Sequence, residues 1–355
     1  MNPVLEAVAD SAELVAKGIT SSDINSAPTG ANVLRAPQNL SPLLTNLGYR
    51  DAPFWSRLTK KAGLGLATEF NLLASLFGTG ENANPMEMFI TDGGTPVERK
   101  SGYKSVVQAY KALGYKGSVT GTAYRTARNG TPTDLEAQEV QNTMRRVMQG
   151  LNWLAYWSRT DVTNTAGVAG YAGLDQLTTT NVIDAGGAVI SKALIDRAVR
   201  GIAYQGGIAA GEYAILCSTG IGMDINNLYN TQQQLIVNNS NDRSNLVYGN
   251  LVPEIRTILG DMKIIPDFFV NPGLPYPQGT TYSASSGAKG LNVSTIFIVP
   301  MTHLAYEELL PMSKVDLGLT GDFSSFMVLE HGTLTLNAEP WVAKITNVLE
   351  SVSNA

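Results

Sequence analysis

The stretch from Leu329 to Ile345, LEHGTLTLNAEPWVAKI, decides how the chain is read. Thr333, Thr335 and Asn337 alternate with Leu334, Leu336 and Ala338, the period of a half-buried strand. Pro340 and Trp341 end that register, and VAKI resumes it. His331 stands just before the alternation beside Gly332 and raises a competing reading, a histidine site with chemistry attached. The only other histidine, His303, lies in an unrelated pattern, and a single His on a strand or turn is usually packed or solvated. The stretch is therefore read as a strand that completes a sheet.

Working outward, 355 residues suffice for one large domain or two to three ordinary ones. Hydrophobic residues make up 44% of the chain, a normal share, but charged residues only 15%, against about 25% in typical soluble proteins. Asn, Thr, Ser, Gly and Gln fill the gap, a mix suited to a surface covered by copies of itself. The net charge of −5 argues against nucleic-acid binding by bulk electrostatics. Charge is nevertheless uneven. From Lys60 to Gly130 nine basic residues face five acidic ones, so this window carries +4 and the remainder −9. Such a segment either docks onto a neighbouring copy or forms a solvated face.

Cys217 is the single cysteine, which excludes an internal disulfide and a Cys-based zinc site. The N-terminal MNPVLEAVADSAELVAKG lacks the basic and apolar regions of a signal peptide, and no apolar run reaches the ~20 residues of a membrane span. A soluble protein made in a reducing cytoplasm is expected.

The first sixty residues do not read as a compact domain. Val4, Leu5, Val8, Ala12 and Val15 recur at helical spacing up to Gly18, and a breaker-rich stretch with three prolines comes next. Such an arm is either disordered or pinned to a partner. A long excursion runs from Gly63 to Arg125, in which NPMEMFITDGG reads as a short strand closed by a Gly-Gly turn. Protrusions of this length are usually interactive. The clearest helix is TPTDLEAQEVQNTMRRVMQGLNWLAYWS, roughly 40 Å long, with Thr131 as N-cap and Pro132 in the first turn. Its stripe is Leu135, Val140, Met144, Val147, Met148, Leu151 and Leu154. An α/β pattern then runs through ISKALIDRAVRGIAY (helix), EYAILCS (strand), GMDINNLYNTQQQ (helix), two strands around Gly260-Asp261, a Pro/Gly/Ser-rich loop over 272–292, and STIFIVP (strand).

No catalytic signature is present: no G-x-S-x-G elbow, P-loop, dinucleotide fingerprint or H-E-x-x-H. STGIGMD has the outline of a phosphate-cradling loop but lacks the lysine. VNNSNDRSN lacks the spaced carboxylates of a calcium loop and reads as an exposed loop.

The order of these parts, with the strand pair GDMKIIPDFFV, the strand IFIVP, Thr320-Gly321-Asp322 and the closing EHGTLTLNAEPWVAKI, resembles the major capsid proteins of tailed bacteriophages. The resemblance runs from about Gly63 to the end, and 272–292 looks like an insertion. It implies an α+β, Hong Kong 97-like capsid fold: N-terminal arm (1–60), extended E-loop (61–126), peripheral domain with spine helix (127–185), α/β axial domain (186–310), and peripheral return strands with the C-terminus (311–355). The implied function is a non-enzymatic shell protein, without cofactor or metal. It would assemble as pentamers and hexamers into an icosahedral head around double-stranded DNA, in the cytoplasm of a bacterial host. An encapsulin-type compartment is the alternative within the fold; an enzyme and a surface-layer protein are the alternatives outside it. Expected partners are other copies, a portal, a scaffolding protein and a cement or decoration protein. DNA contact would be non-specific at most, and no membrane is involved. Lys100, Lys104, Lys111, Lys116 and Arg125 are the expected inter-subunit contacts of the E-loop. Leu135, Val140, Val147, Leu151 and Leu154 are the expected core of the spine helix.

Overall fold

The computed structural model describes residues 51–75, 85–121, 135–233, 252–271, 293–318 and 321–351. The expected N-terminal helix, the Thr131 cap, Arg125, the polar run VNNSNDRSN, Thr320 and the 272–292 loop lie outside them.

Gly332 and the alternation from Thr333 to Leu336 belong to β11 (Phe323–Leu336). A single helical turn at Glu339–Trp341 then carries the chain out of one sheet, and β12 (Ala343–Leu349) enters another. The proline and tryptophan interrupt the stretch because the chain changes sheets there. The first sheet has four strands in the order β1 (Thr59–Ala62), β10 (Leu304–Leu317), β11 and β4 (Lys111–Thr120). β1 runs parallel to β10, and the other neighbours are antiparallel. The second sheet has six strands, in the order β5 (Asn181–Asp184), β12, β9 (Val293–Pro300), β6 (Tyr213–Cys217), β8 (Gly260–Pro266) and β7 (Glu254–Thr257).

These pairings cross three of the expected boundaries. Lys111–Thr120 was expected within the extended loop but forms an edge of the four-stranded sheet, hydrogen-bonded along β11. β10 begins at Leu304, inside the expected axial segment, yet belongs to the four-stranded sheet. β12 and β5, both expected in the peripheral region, belong to the six-stranded sheet. In each case strand pairing reaches across the sequence, which a linear division of the chain does not see.

The six-stranded sheet is covered on both faces, and its strands show why. Along β6 and β9, Ala214, Leu216, Phe297 and Val299 enter one core, while Tyr213, Ile215, Cys217, Ile296 and Ile298 enter the other. Alternate side chains of a strand point to opposite faces, so a continuous apolar run signals two buried faces. The second core is closed by α4 (Lys192–Tyr204) through Ile195, Ala198, Val199 and Ile202, and by α5 (Thr219–Gln233) through Ile221 and Ile225. Ser191 caps α4 by accepting a hydrogen bond from the Leu194 amide.

The first core lies under α2 (Leu135–Trp157), the long helix, and draws on both sheets. Val147 and Leu151 are buried there, together with Ala155, Tyr156 and Trp157; Val140, Met144 and Leu154 pack at its margin. A short helix α1 (Pro53–Arg57) adds Phe54 and Trp55, which meet Tyr156 and Tyr306 ring against ring. The single turn of α3 (Leu174–Leu177) adds Leu174.

One buried polar network ties these parts together. Asp267, after β8, accepts hydrogen bonds from Asn152 Nδ2 (2.8 Å), the Tyr156 hydroxyl (3.1 Å) and the Phe269 amide (2.9 Å). Asn152 Oδ1 in turn accepts from the Trp55 amide (2.8 Å). Burial pushes the Asp267 carboxyl above its ordinary value, against the pull of hydrogen bonds from Asn152, Phe269, Tyr156 and Phe54. No sequence signal marks Asp267. Asn152 was legible only as a polar residue four positions after Met148 and four before Tyr156 on a helix that buries that side.

Candidate inter-subunit surface

The remaining two strands, β2 (Ala67–Ser75) and β3 (Gly102–Ala109), pair antiparallel with each other and with no other described strand. No residue of β3 is buried. A two-stranded ribbon is marginal in water unless something covers a face of it. Here many of the uncovered side chains are apolar: Leu73, Tyr103 and Val107 on the strands, Leu64 and Leu66 before them, and Met86, Met88, Phe89, Ile90 and Val97 in the connection. Leu66, Met88 and Phe89 are 91%, 82% and 78% exposed, values that single scattered surface hydrophobics do not explain.

Among the described residues of the connection the expected strand does not form. Pro85–Met88 forms one helical turn, and only the Gly-Gly turn appears: the Gly94 amide donates to the Thr91 carbonyl at 2.8 Å, with Gly93 at φ 77°. Proline at the head of PMEM favours the first turn of a helix over a ladder position.

The five expected basic contacts separate. Lys104 lies exposed on β3, opposite Leu72. Lys100 is exposed but 3.6 Å from Glu98, which offsets its charge. Lys111 and Lys116 are on β4, part of the four-stranded sheet, where Lys111 pairs with Gly332 and the Lys116 ammonium lies 5.8 Å from the Phe323 ring. Arg125 is outside the described residues. The apolar surface of the ribbon, not its lysines, is the larger feature.

The residues with potential for chemistry are otherwise engaged. Cys217 is buried, and burial pushes its thiol up to about 12. The phosphate-like loop STGIGMD opens α5, but the chain's own Glu350 carboxylate fills it, accepting a hydrogen bond from Ser218, while Asp224 accepts from the Ser351 amide at 2.9 Å. His303 packs edge-on against Trp341 with centroids 5.0 Å apart, and His331 lies within β11 opposite Ala112 and Leu310. Among the described residues no group of three or more His, Cys, Asp or Glu side chains is placed to hold a metal, and no helix is long and apolar enough to cross a membrane.

Comparison with known proteins accounts for this architecture. No curated protein sequence is detectably similar. The fold is similar to that of a capsid subunit of cyanophage A-1(L), at TM-score 0.60 and 11% identity over 88% of this chain and 96% of that one. It is also similar to the capsid of Myoviridae phage XM1, at TM-score 0.52 and 12% identity over 90% and 100%. A third neighbour is the SrpI encapsulin of Synechococcus elongatus PCC 7942, at TM-score 0.55 and 10% identity over 90% and 94%. These likenesses establish a Hong Kong 97-like fold. The model of the SU10 major capsid protein family matches residues 22–349, nearly the whole length, and the chain therefore belongs to that family of phage capsid proteins.

Proposed function

We propose that this major capsid protein builds its shell by laying the β2–β3 ribbon across a neighbouring copy, with the apolar residues of the ribbon and its connection as the adhesive. The observation that carries this reading is the exposure of Met88, Phe89 and Leu66 on a ribbon that pairs with no other described strand. Burying three such side chains is worth about 1.5–3 kcal/mol each, enough to decide an association. In this reading residues 63–110 are the extended loop, α2 is the spine, and the six-stranded sheet with α4 and α5 is the domain that gathers at the symmetry axes. Copies close into pentamers and hexamers around double-stranded DNA in the cytoplasm of a bacterial host. A portal, a separate scaffolding protein and a cement protein are the expected further partners. The acidic net charge suits an inner face that does not hold DNA tightly, and any contact there is phosphate-directed. No catalytic role is assigned. The encapsulin likeness reaches only the fold, whereas the family match reaches nearly the whole sequence, so the phage shell is preferred.

The test is the double variant Met88→Ser/Phe89→Ser. Wild-type protein should give closed icosahedral shells by negative-stain electron microscopy and a fast-sedimenting species. The variant should keep the wild-type melting midpoint before assembly yet remain as small species. Normal shells from the variant would refute the ribbon as adhesive.

A further inference from the structure

We propose that Glu330 is a proton-operated latch on strand β1: the base of the ribbon is held while Glu330 keeps its proton and is loosened when that proton leaves. Glu330 lies in the middle of β11, and its side chain is fully buried. Neither of its oxygens makes a hydrogen bond of ordinary geometry, and the nearby hydroxyls of Tyr306 and Tyr171 are buried without such partners as well. Pairing is irregular at this point. Leu310 faces His331 and Ser313 faces Leu329, so β10 places two residues, Pro311 and Met312, against Glu330 alone. Bulges of this kind re-aim a side chain and cluster at functional positions.

The groups facing Glu330 come from three elements. β1 supplies Lys60, β10 supplies Tyr306 and Glu308, and the segment after α2 supplies Tyr171. β4, on the other flank, sets Leu113 opposite it. Lys60 Nζ lies 3.0 Å from Glu308 Oε1 and 4.8 Å from the Trp55 ring centroid. One cation and two carboxylates are electrically balanced only with one proton present. Glu308 has the lysine beside it and retains some solvent, so the proton belongs on Glu330. Burial, opposed by Lys60 and by the Tyr306 hydroxyl and reinforced by the Glu308 charge, raises the Glu330 carboxyl to about 7.

A carboxyl held above its unfolded value binds its proton more tightly in the folded chain. Its stabilising contribution is complete below the ordinary glutamate range, about 4.3, and is lost as pH rises through about 7. Above that value an uncompensated negative charge sits between β10 and β11. The weakest element around it is β1, a four-residue edge strand with every side chain exposed, tied down by its ladder to β10, the Lys60–Glu308 pair and the Gly63 amide on the Glu308 carbonyl. β2 begins five residues after β1 ends, so release of β1 frees the β2 side of the ribbon's base, while β3 runs on into β4, which stays paired with β11.

Hydrogen exchange of the unassembled full-length chain, corrected for intrinsic rates, tests this independently of shell formation. Between pH 5.5 and about 7 the amides of 59–63 should lose protection by up to about tenfold per pH unit, the limit for one proton, and level off by pH 8.5, while β12 holds. Glu330→Gln should keep the β1 amides protected across the range. Glu308→Gln leaves one cation with one carboxylate and should move the loss to lower pH. A wild-type loss that persists in Glu330→Gln, or no loss in wild type, overturns the latch. Should Glu330→Gln fail to fold, an unshifted loss in Glu308→Gln overturns it equally.

Discussion

Strands β9 and β3 are each eight residues long and each carry β-branched and aromatic side chains, yet their surroundings are opposite. From Ser294 to Pro300 every residue of β9 is buried, because α2 covers one face of its sheet and α4 with α5 cover the other. No residue of β3 is buried. The difference is not one of propensity, since both segments form strands; it is one of where the second layer comes from. β9 finds it within the protomer. β3 leaves Tyr103 and Val107 without a covering layer among the described residues. Intrinsic preference decides that a strand forms, and the source of the covering surface decides whether it stabilises a fold or an assembly.

Phe297→Ala is the largest way to break this contrast. Phe297 is fully buried, with ring centroids 5.9 Å from Tyr156 and 6.0 Å from Trp157. Its truncation should cost about 3–5 kcal/mol in urea denaturation of unassembled protein. Val107→Ala on the ribbon should change the same measurement by less than about 0.5 kcal/mol. Comparable losses would mean that the ribbon belongs to the protomer core.

Asp267→Ala should rank next. It strands Asn152 Nδ2, the Tyr156 hydroxyl and the Phe269 amide in a dry core, a loss of about 3 kcal/mol. Asp267→Asn retains an acceptor and should cost clearly less in the same denaturation series. Equal costs would show that charge, rather than hydrogen-bond acceptance, holds the junction between α1, α2 and β8.

How much of this was legible in the residues varies with the range of the interaction. The strands Tyr213–Cys217 and Val293–Pro300 and helix α4 reflect local period and end signals, and the structure places them where those signals stand. The alternation Thr333, Thr335 has the period of a half-buried strand, but both threonines are 1% exposed. Thr335 Oγ1 donates to the Ala305 carbonyl at 3.1 Å, which makes burial of a polar face affordable. Gly332 is needed there because a Cβ would collide with the Tyr306 ring, a constraint visible only once β10 lies beside β11. The Glu330 cluster was illegible for the same reason, since its members come from positions 60, 171, 306, 308 and 330. On the ribbon, lysine spacing was plain in the sequence. The exposure of Met88 and Phe89 was not, because an apolar residue in a linear chain is read as core by default.

Reversing Lys100, Lys104 and Lys111 to glutamate should have the smallest effect, and it sharpens what the ribbon contributes. Lys100 is already beside Glu98, and Lys111 sits half-buried on β4, so only Lys104 presents an unshared charge along the ribbon. Exposed charge pairs are worth at most about 1 kcal/mol, and salt near 0.1 M screens them beyond about 10 Å. Shell yield from the triple variant, read by sedimentation, should fall at low ionic strength and recover as salt rises. Apolar contact strengthens or holds under the same salt, so Met88→Ser/Phe89→Ser should not recover. If instead the lysine variant stays unassembled at every salt concentration, the ribbon is a charged clasp, and its exposed apolar side chains serve a surface other than a neighbouring copy.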